Sequence, residues 1–343
     1  WGNHNHNFNQ ASMGYLDQSN FDGGIYSVRG WTNPHLVTYM ESHDEERMMY
    51  KNIQFGNSSG SYNVKDLNTA LKRQEMSAAF LLSIPGPKMI WEFGEMGYDF
   101  SINRCSDGSI SDACRLTPKP IRWDYLQTIQ RKRLYDVFSA LNKLRVHPWY
   151  KDVFIANNIT LTRGMTALPK WMLIRSATDS SMLMVVGNFD VTQQTVTVNF
   201  PTAGTWYDYL QGNTFTAVGG SQIITLQPGE FHVYLNRNLT NAVLTPVGNV
   251  NNPGNKLSAS IFPNPASGNS NSVLELDIPV TGHAQVEIFN ATGQKISTLF
   301  AGVLTRGVQR IPLTDKINNL PAGTYLLQIH TNKQRVPVKL ILQ

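Results

Sequence analysis

The sequence has few charged residues, only two cysteines and no long apolar run. Of its 343 residues 15% are charged, and 29 Lys and Arg against 24 Asp and Glu leave a net charge of +5. The basic residues are scattered, which argues against nucleic acid as a partner. The longest apolar run, near residues 78–84, is far shorter than the ~18 residues of a membrane span, so no transmembrane segment is expected. A hydrophobic fraction of 41% excludes a disordered chain.

The two cysteines indicate a loop disulfide. Cys105 and Cys114 flank eight residues that include Gly108 and several serines. A bridge closing such a loop would contribute about 2 to 3 kcal/mol and would be typical of an exported protein. Two unpaired thiols are the alternative. No metal site is predicted, because no second Cys/His pair has a matching spacing.

Residues 1–147 alternate between strand and helix patterns. Apolar runs at 35–41 and 88–93 predict strands buried on both faces. Between them, Asp66 is a predicted N-cap of a helix that ends before Pro85, and a second amphipathic helix is predicted over 130–145. Strand, helix, strand, helix is the repeat from which parallel barrels and doubly wound sheets are built, so this part is predicted to be α/β.

The rest of the chain is predicted to be all-β. Residues 148–238 contain short strands punctuated by turns, which predicts an antiparallel β-sandwich. A polar linker follows at 239–257, and 258–343 form a second, smaller β-sandwich. The predicted strands are 159–162, 171–176, 181–189, 195–200, 205–209, 223–226, 231–235, 273–278, 284–289, 309–312, 323–331 and 334–342.

A charged cluster, ESHDEER at residues 41–47, follows the first predicted strand. In a parallel barrel, catalytic groups lie at the carboxyl ends of the strands, where the following loops converge. An adjacent His and Asp can hold the vicinal hydroxyls of a sugar, and a carboxylate can stabilise the oxocarbenium-like transition state of glycoside cleavage. Taken alone, the cluster is equally compatible with a solvated loop that has no chemical role.

The surrounding motifs favour the chemical interpretation. VTYMESHD at residues 37–44 resembles the fourth signature region of the alpha-amylase family of glycoside hydrolases, a strand that ends in a His-Asp pair. IPGPKMIWEFGEMGY at 84–98 resembles the last barrel strand of that family and its following loop. The resemblance extends over residues 1–238. It implies that residues 1–147 are the C-terminal part of a (β/α)8 TIM barrel, truncated at its start, with the family's β-domain behind it.

The resemblance also implies an activity. Family members are retaining hydrolases of α-glucans such as starch, and such chemistry needs a nucleophile and an acid/base carboxyl group about 5 Å apart. The family carries both on barrel strands that would precede Trp1, so no residue here takes either role and the fragment alone is expected to be inactive. Asp44 is the implied transition-state stabiliser and His43 a substrate ligand. The resemblance leaves calcium open as a cofactor but identifies no site.

Three further residues are candidate substrate ligands. Trp31 and Tyr98 could stack on sugar rings, although core packing is the alternative for either aromatic side chain. Arg104, on the loop above the last predicted strand, could donate hydrogen bonds to a bound sugar. Two other functions stay open: a branching or debranching enzyme of the same family, and a non-catalytic surface glycan-binding protein of the same fold.

The last module carries a second resemblance. SIFPNP at 260–265, VEIFNATG at 286–293, LPAGTY at 320–325 and KLILQ at 339–343 resemble the C-terminal sorting domain of the type IX secretion system of Bacteroidetes-type bacteria. The resemblance implies that residues 258–343 engage that secretion machinery, and that the protein is exported through the outer membrane and attached to the cell surface or released. A carbohydrate-binding β-sandwich is the alternative for this module.

Overall fold

The computed structural model describes residues 1–239, 257–266, 272–278, 281–305, 307–331 and 334–343. They form two compact units. The first contains the described residues of 1–126 and 130–245, and the second those of 127–129 and 246–343. The predicted linker at 239–257 lies outside the described residues except for its two end positions. In the part of the chain that is described, no helix is both long and apolar enough to cross a membrane.

The first unit combines a helical part with a β-sheet. Its helices are α1 (Asn5–Met13), α2 (Met48–Phe55), α3 (Leu67–Ser83), α4 (Ile129–Arg145) and α5 (Lys151–Ile155). Its strands are β1 (Gly2–Asn3), β2 (Thr38–Tyr39), β3 (Ser58–Ser59), β4 (Tyr62–Asn63), β5 (Ile159–Gly164), β6 (Pro169–Ser176), β7 (Met182–Asn188), β8 (Gln194–Asp208), β9 (Thr214–Leu226) and β10 (Phe231–Leu235).

The parallel strands are much shorter than predicted. β1 pairs in parallel with β2, and Thr38 forms one parallel bridge with Lys88, so that three segments lie side by side. The strands expected at 35–41 and 88–93 are therefore reduced to two residues and a single bridge. Among the described residues the 88–93 segment has a neighbouring segment on one side only, so it lies at the edge of this small parallel sheet. Phe93, with φ of 57°, then turns the chain away.

The two long helices occur where they are predicted. Asp66 caps α3, because its carboxylate accepts hydrogen bonds from the N–H groups of Asn68 (3.0 Å) and Thr69 (3.1 Å). The helix ends just before Pro85, which cannot continue it. Side chains of α3, such as Phe80, share one hydrophobic core with those of α4 and of the following sheet, such as Val185. The helices and the sheet thus fold as one body.

Residues 159–235 form one continuous six-stranded antiparallel sheet in the order β5-β6-β7-β10-β8-β9. The prediction was a sandwich of separate sheets. The segments predicted at 195–200 and 205–209 are two halves of β8, which has an irregularity between Phe200 and Ala203. One face of β7 packs in the core with the helices, and its other face, including Met184, packs with side chains of the β8–β9 hairpin such as Val198. The hairpin thus covers the face for which a second sheet was expected.

The second unit contains two antiparallel sheets around one core. Its elements are β11 (Ser258–Phe262), β12 (Val273–Ile278), β13 (Gly282–Phe289), β14 (Lys295–Leu304), β15 (Gly307–Pro312), α6 (Thr314–Ile317), β16 (Gly323–Thr331) and β17 (Arg335–Leu342). The sheets have the orders β11-β12-β15 and β14-β13-β16-β17, and side chains from both, such as Leu276 and Leu327, share the core. β11 and β14 are not among the strands predicted from the sequence.

A buried arginine ties the first unit together. Arg73 of α3 is fully buried, and its guanidinium donates hydrogen bonds to the carbonyl oxygens of Ala11 (2.9 Å), Ser12 and Phe189 and to the Tyr62 hydroxyl (3.2 Å). These groups come from the end of α1, from β4 and from the turn after β7. One side chain therefore supplies donors to three parts of the chain that are distant in sequence.

Replacing Arg73 should destabilise the first unit selectively. Arg73→Met leaves buried carbonyl groups without donors, and we expect the free energy of unfolding to fall by about 3 to 5 kcal/mol. All seven tryptophans lie within residues 1–206, so tryptophan fluorescence during urea unfolding reports on the first unit. Arg175→Met is the control, because Arg175 is an exposed arginine of β6 in the same unit. An unchanged midpoint for Arg73→Met would contradict this account.

Candidate active site

The His43–Asp44 pair lies on the loop between β2 and α2. His43 Nε2 and Asp44 Oδ2 are 3.2 Å apart, and the side chains are 65% and 63% exposed. The neighbouring strand end meets this loop, because the Asn3 side chain, at the end of β1, donates a hydrogen bond to the Glu45 carboxylate. The Asn5 side chain donates to the Met40 carbonyl at 2.8 Å. The carboxyl ends of β1 and β2 therefore converge on an exposed His-Asp pair, which is free to contact a ligand.

Beneath the pair, a buried arginine balances two carboxylates. The Arg47 guanidinium is 3.8 Å from the Glu41 carboxylate and 3.7 Å from that of Glu92, and it lies over the Tyr98 ring at 4.8 Å. Glu41 is 3% exposed. Burial raises the pKa of the Glu41 carboxyl, while the Arg47 charge and a 2.8 Å hydrogen bond from the Met48 N–H act in the opposite direction. This network holds residues 41–48 in place and leaves 43 and 44 in solvent.

Tyr98 is not placed to stack on a sugar. It is 1% exposed, its ring stacks on Phe93 with centroids 5.8 Å apart, and its hydroxyl donates to the Pro120 carbonyl at 2.7 Å. Burial raises the pKa of the Tyr98 hydroxyl to about 12. The predicted ligand role does not fit this position, because the ring is enclosed by Arg47 and by aromatic side chains such as Phe100. Tyr98 instead supports Arg47 from below.

The aromatic side chain beside the pair is Trp91. The His43 and Trp91 rings have centroids 5.7 Å apart and planes inclined at 52°. Trp31, the predicted stacking residue, is 44% exposed and follows a short 3-10 turn at Tyr26–Arg29. Its role as a ligand stays a prediction. Trp91 is the better placed of the two to offer a ring next to His43.

Arg104 folds back onto its own loop. Its guanidinium lies 4.7 Å from the centre of the Phe100 ring and donates a 3.2 Å hydrogen bond to the Gly108 carbonyl. The arginine that pairs with Asp44 is Arg115, whose Nη2 is 3.8 Å from Asp44 Oδ1. No local signal marks Arg115, since it is 71 positions from Asp44 and belongs to a different loop. Arg104 as a sugar ligand stays a prediction.

The predicted disulfide is confirmed. Cys105 and Cys114 are bonded, with their Cα atoms 5.0 Å apart. The loop that contains them is anchored next to the pair, because the Glu46 carboxylate accepts hydrogen bonds from the Ser101 hydroxyl (2.6 Å) and the Ile102 N–H (2.9 Å). The bridge therefore closes a loop that forms one wall of the candidate site.

A groove of about 660 Å³ runs from Trp91 along α4. Its lining includes Glu92, Glu95, Tyr135 and Asn142, together with apolar side chains such as Val146. Burial raises the pKa of the Glu95 carboxyl. The groove thus combines aromatic rings, carboxylates and an amide, which are groups that can contact a carbohydrate.

The described residues do not fit a carboxylate-rich metal centre. Within the ranges that the structure covers, no three His, Cys, Asp or Glu side chains lie close enough together to hold a metal ion. Calcium, which the family resemblance left open, has no such cluster of ligands here. We therefore assign no step at this site to a metal ion.

The last module matches a known family. Residues 260–343 match the model described as "Secretion system C-terminal sorting domain". The match agrees with the resemblance noted in the sequence for residues 258–343. The chain therefore carries a secretion-system sorting domain at its C-terminal side. No curated protein matches the chain at a significant level.

Several solved glycoside-processing enzymes are similar to this chain. An alpha-amylase from Anoxybacillus is 14% identical, with 67% of this chain and 45% of that protein covered and a TM-score of 0.45. A pullulanase from Anoxybacillus sp. LM18-11, solved with maltotetraose, is 13% identical, with 66% and 32% covered and a TM-score of 0.45. A gamma-CGTase from alkalophilic Bacillus clarkii is 14% identical, with 97% and 43% covered and a TM-score of 0.43. The chain spans less than half of each, and similarities of this size do not establish a shared activity.

Gly94 provides a test of the buried network. A Cβ atom on Gly94 would overlap with Glu41 Oε2, the oxygen that faces Arg47, so Gly94→Ala must displace this part of the Glu41 carboxylate. We expect a loss of about 1 to 3 kcal/mol in the free energy of unfolding, measured by tryptophan fluorescence in urea. Gly323→Ala is the control, because its Cβ would meet its nearest neighbour at 3.9 Å. Its unfolding is followed by circular dichroism, because the tryptophans lie in the first unit. Equal stability of the Gly94 variant and the wild type would mean that Glu41 is not held as described.

Proposed function

We propose that this chain is the C-terminal part of a secreted, retaining glycoside hydrolase of the alpha-amylase family that acts on α-glucans such as starch. The observation that carries the proposal is the exposed His43–Asp44 pair, 3.2 Å apart, where the ends of two parallel strands converge. Catalytic groups of parallel barrels occupy this edge of the sheet. The two motifs that resemble the family, at 37–44 and 84–98, enclose this site in the sequence.

The two residues of the pair have different chemical roles. Glycoside cleavage develops positive charge on the sugar ring, and the Asp44 carboxylate stabilises that charge electrostatically. His43 donates a hydrogen bond to a sugar hydroxyl, and the Trp91 ring beside it packs against an apolar sugar face. The nucleophile and the acid/base are supplied by upstream strands of the parent enzyme.

The isolated chain is expected to be inactive. A TIM barrel needs eight strands over roughly 250 residues, and this chain contributes β1, β2 and the segment bridged at Lys88. Among the described residues, the 88–93 segment has a neighbouring strand on one side only. Side chains of this segment, such as Trp91, line the groove. In this proposal, further barrel strands of the parent enzyme complete that edge.

The sorting domain supports a secreted location. We propose that residues 258–343 engage the type IX secretion machinery of a Bacteroidetes-type bacterium and that the enzyme is exported to the cell surface or released there. The module has its own hydrophobic core, which suits a domain that acts separately from catalysis. A disulfide between Cys105 and Cys114 suits the same oxidising route.

A second candidate function is non-catalytic glycan binding at the cell surface. The groove of about 660 Å³ favours it, because aromatic rings and polar side chains line a cleft that adjoins the exposed pair. A branching or debranching enzyme of the same family would share the roles of His43 and Asp44 and would differ in its upstream segments.

Starch hydrolysis by this chain, compared with a chain extended upstream to its natural start, tests the proposal. Asp44→Asn in the extended chain should lower kcat by about 10²- to 10³-fold or more, because it removes charge stabilisation of the transition state. Asp315→Asn, an exposed substitution in the sorting domain, is the control and should leave kcat unchanged.

The outcomes separate the candidates. Activity in the extended chain alone supports truncation. Activity in the 343-residue chain would contradict the upstream placement of the nucleophile and would direct attention to Glu41, Glu92 and Glu95. Glucan binding without turnover in the extended chain would favour the glycan-binding function. Near-normal activity of Asp44→Asn would remove Asp44 from the site.

Deleting residues 258–343 tests the role of the sorting domain. We expect the truncated enzyme to stay inside the producing bacterium, because its secretion signal is lost, while the purified enzyme keeps its specific activity. Immunoblots of cell and medium fractions measure the first effect and starch hydrolysis the second. Normal export of the truncated protein, or loss of activity after purification, would each contradict a dedicated sorting role.

A further inference from the structure

We propose that the disulfide loop, residues 101–117, holds Arg115 against Asp44 and makes Arg115 a positioning residue for that carboxylate. The inference rests on the proposed function, in which Asp44 stabilises the transition state. Neither family motif at 37–44 or 84–98 contains Arg115. Its role follows from three features of the loop: its hydrogen bonds to Glu46, its disulfide and the position of Arg115 beside Asp44.

The loop is anchored beside the pair at its N-terminal end. The Glu46 carboxylate accepts hydrogen bonds from the Ser101 hydroxyl (2.6 Å) and the Ile102 N–H (2.9 Å). Glu46 is two residues from Asp44. The start of the loop is therefore hydrogen-bonded to the short segment that carries the candidate catalytic carboxylate. A displacement of this anchor would therefore reach Asp44 directly.

The middle of the loop is closed on itself. Besides the disulfide, the Ser111 N–H donates to the Asn103 carbonyl at 2.9 Å, and Arg104 pairs with Ile110 through an isolated antiparallel bridge. The Cys105 N–H donates to the Ser109 carbonyl at 2.8 Å. This loop lacks an apolar core, and the covalent bridge limits how far its two arms can separate.

The C-terminal end of the loop directs Arg115 to the pair. Arg115 follows Cys114 directly, so the bridge restrains the backbone position from which its side chain starts. The Cys114 carbonyl accepts hydrogen bonds from the Thr117 hydroxyl and the Lys119 ammonium group, each at 2.7 Å. These contacts hold the residues on both sides of Arg115.

The result is a carboxylate with a donor group facing each oxygen. Arg115 Nη2 is 3.8 Å from Asp44 Oδ1, and His43 Nε2 is 3.2 Å from Oδ2. At 3.8 Å the Arg115 contact is an ion pair rather than a hydrogen bond, and its charge favours the orientation of the carboxylate in which Oδ1 faces the loop. Arg115 and Asp44 are 44% and 63% exposed, and ion pairs this open to water contribute little to stability. Orientation of Asp44 is therefore the stronger reason for the contact.

Kinetics of the full-length enzyme on a maltooligosaccharide test the proposal. Arg115→Met should lower kcat about tenfold with little change in KM, because an interaction that orients a transition-state stabiliser affects the chemical step. Arg115→Lys should restore part of the loss, since it keeps the positive charge. Arg310→Met, which removes an exposed arginine from the sorting domain, is the matched control and should leave both constants unchanged.

A double-mutant cycle isolates the role of the disulfide. Cys105→Ser/Cys114→Ser should lower kcat in the wild-type background, because Arg115 is no longer held, and should have almost no further effect in the Arg115→Met background. Tryptophan fluorescence at the assay temperature checks that every variant is folded. Arg115→Met leaves the disulfide intact, so it tests the proposal even if the double serine variant fails to fold.

Each result either supports or overturns the inference. Loss of kcat at constant KM, with no added effect of the cysteine variants, supports it. The inference would be overturned, while the proposed function stands, by any of three results. These are unchanged kinetics of Arg115→Met, a rise in KM alone, and losses of kcat by Arg115→Met and by the cysteine variants that multiply when the changes are combined. An inactive wild-type enzyme would overturn the proposed function itself, and that result is visible before any variant is measured.

Discussion

The first unit depends on the buried guanidinium of Arg73. Its donors reach carbonyl groups at the end of α1 and after β7, as well as the hydroxyl of Tyr62 in β4. Without Arg73 the carbonyl groups of Ser12 and Phe189 would be buried without this donor, which costs more than a single hydrogen bond contributes. The contact also ties the helical part to the turn that follows β7 of the six-stranded sheet.

A second buried arginine, Arg47, pairs with buried acceptors beneath the candidate site. Arg47 lies among Glu41, Glu92 and Tyr98, and it makes the burial of Glu41 tolerable beneath the exposed pair. Charges that are buried must be paired, whereas His43 and Asp44 stay in water, where they can meet a polar ligand. In the proposed function, this division between a buried charged layer and an exposed pair leaves His43 and Asp44 accessible to a sugar.

Local signals in the sequence predicted the features that depend on near neighbours. Asp66 and Pro85 define the ends of α3, and the spacing of Cys105 and Cys114 predicted their bridge, because caps, helix breakers and short loops act over a few residues. The strands at 35–41 and 88–93 were overestimated for the opposite reason. An apolar run indicates burial, but a strand also requires a partner with free N–H and C=O groups, which may lie anywhere in the chain.

In the candidate site, too, some features depend on neighbouring residues and others on distant ones. By itself, the sequence determined the two long helices, the sorting domain at the C-terminal side and the adjacency of His43 and Asp44, all through contiguous residues. Only the tertiary structure decided that Tyr98 is covered, that Trp91 is the ring beside His43 and that Arg115 rather than Arg104 faces Asp44. Those outcomes depend on how separate loops pack against one another. Residue type and spacing along the chain do not determine which side chain of a loop faces a carboxylate 71 positions away.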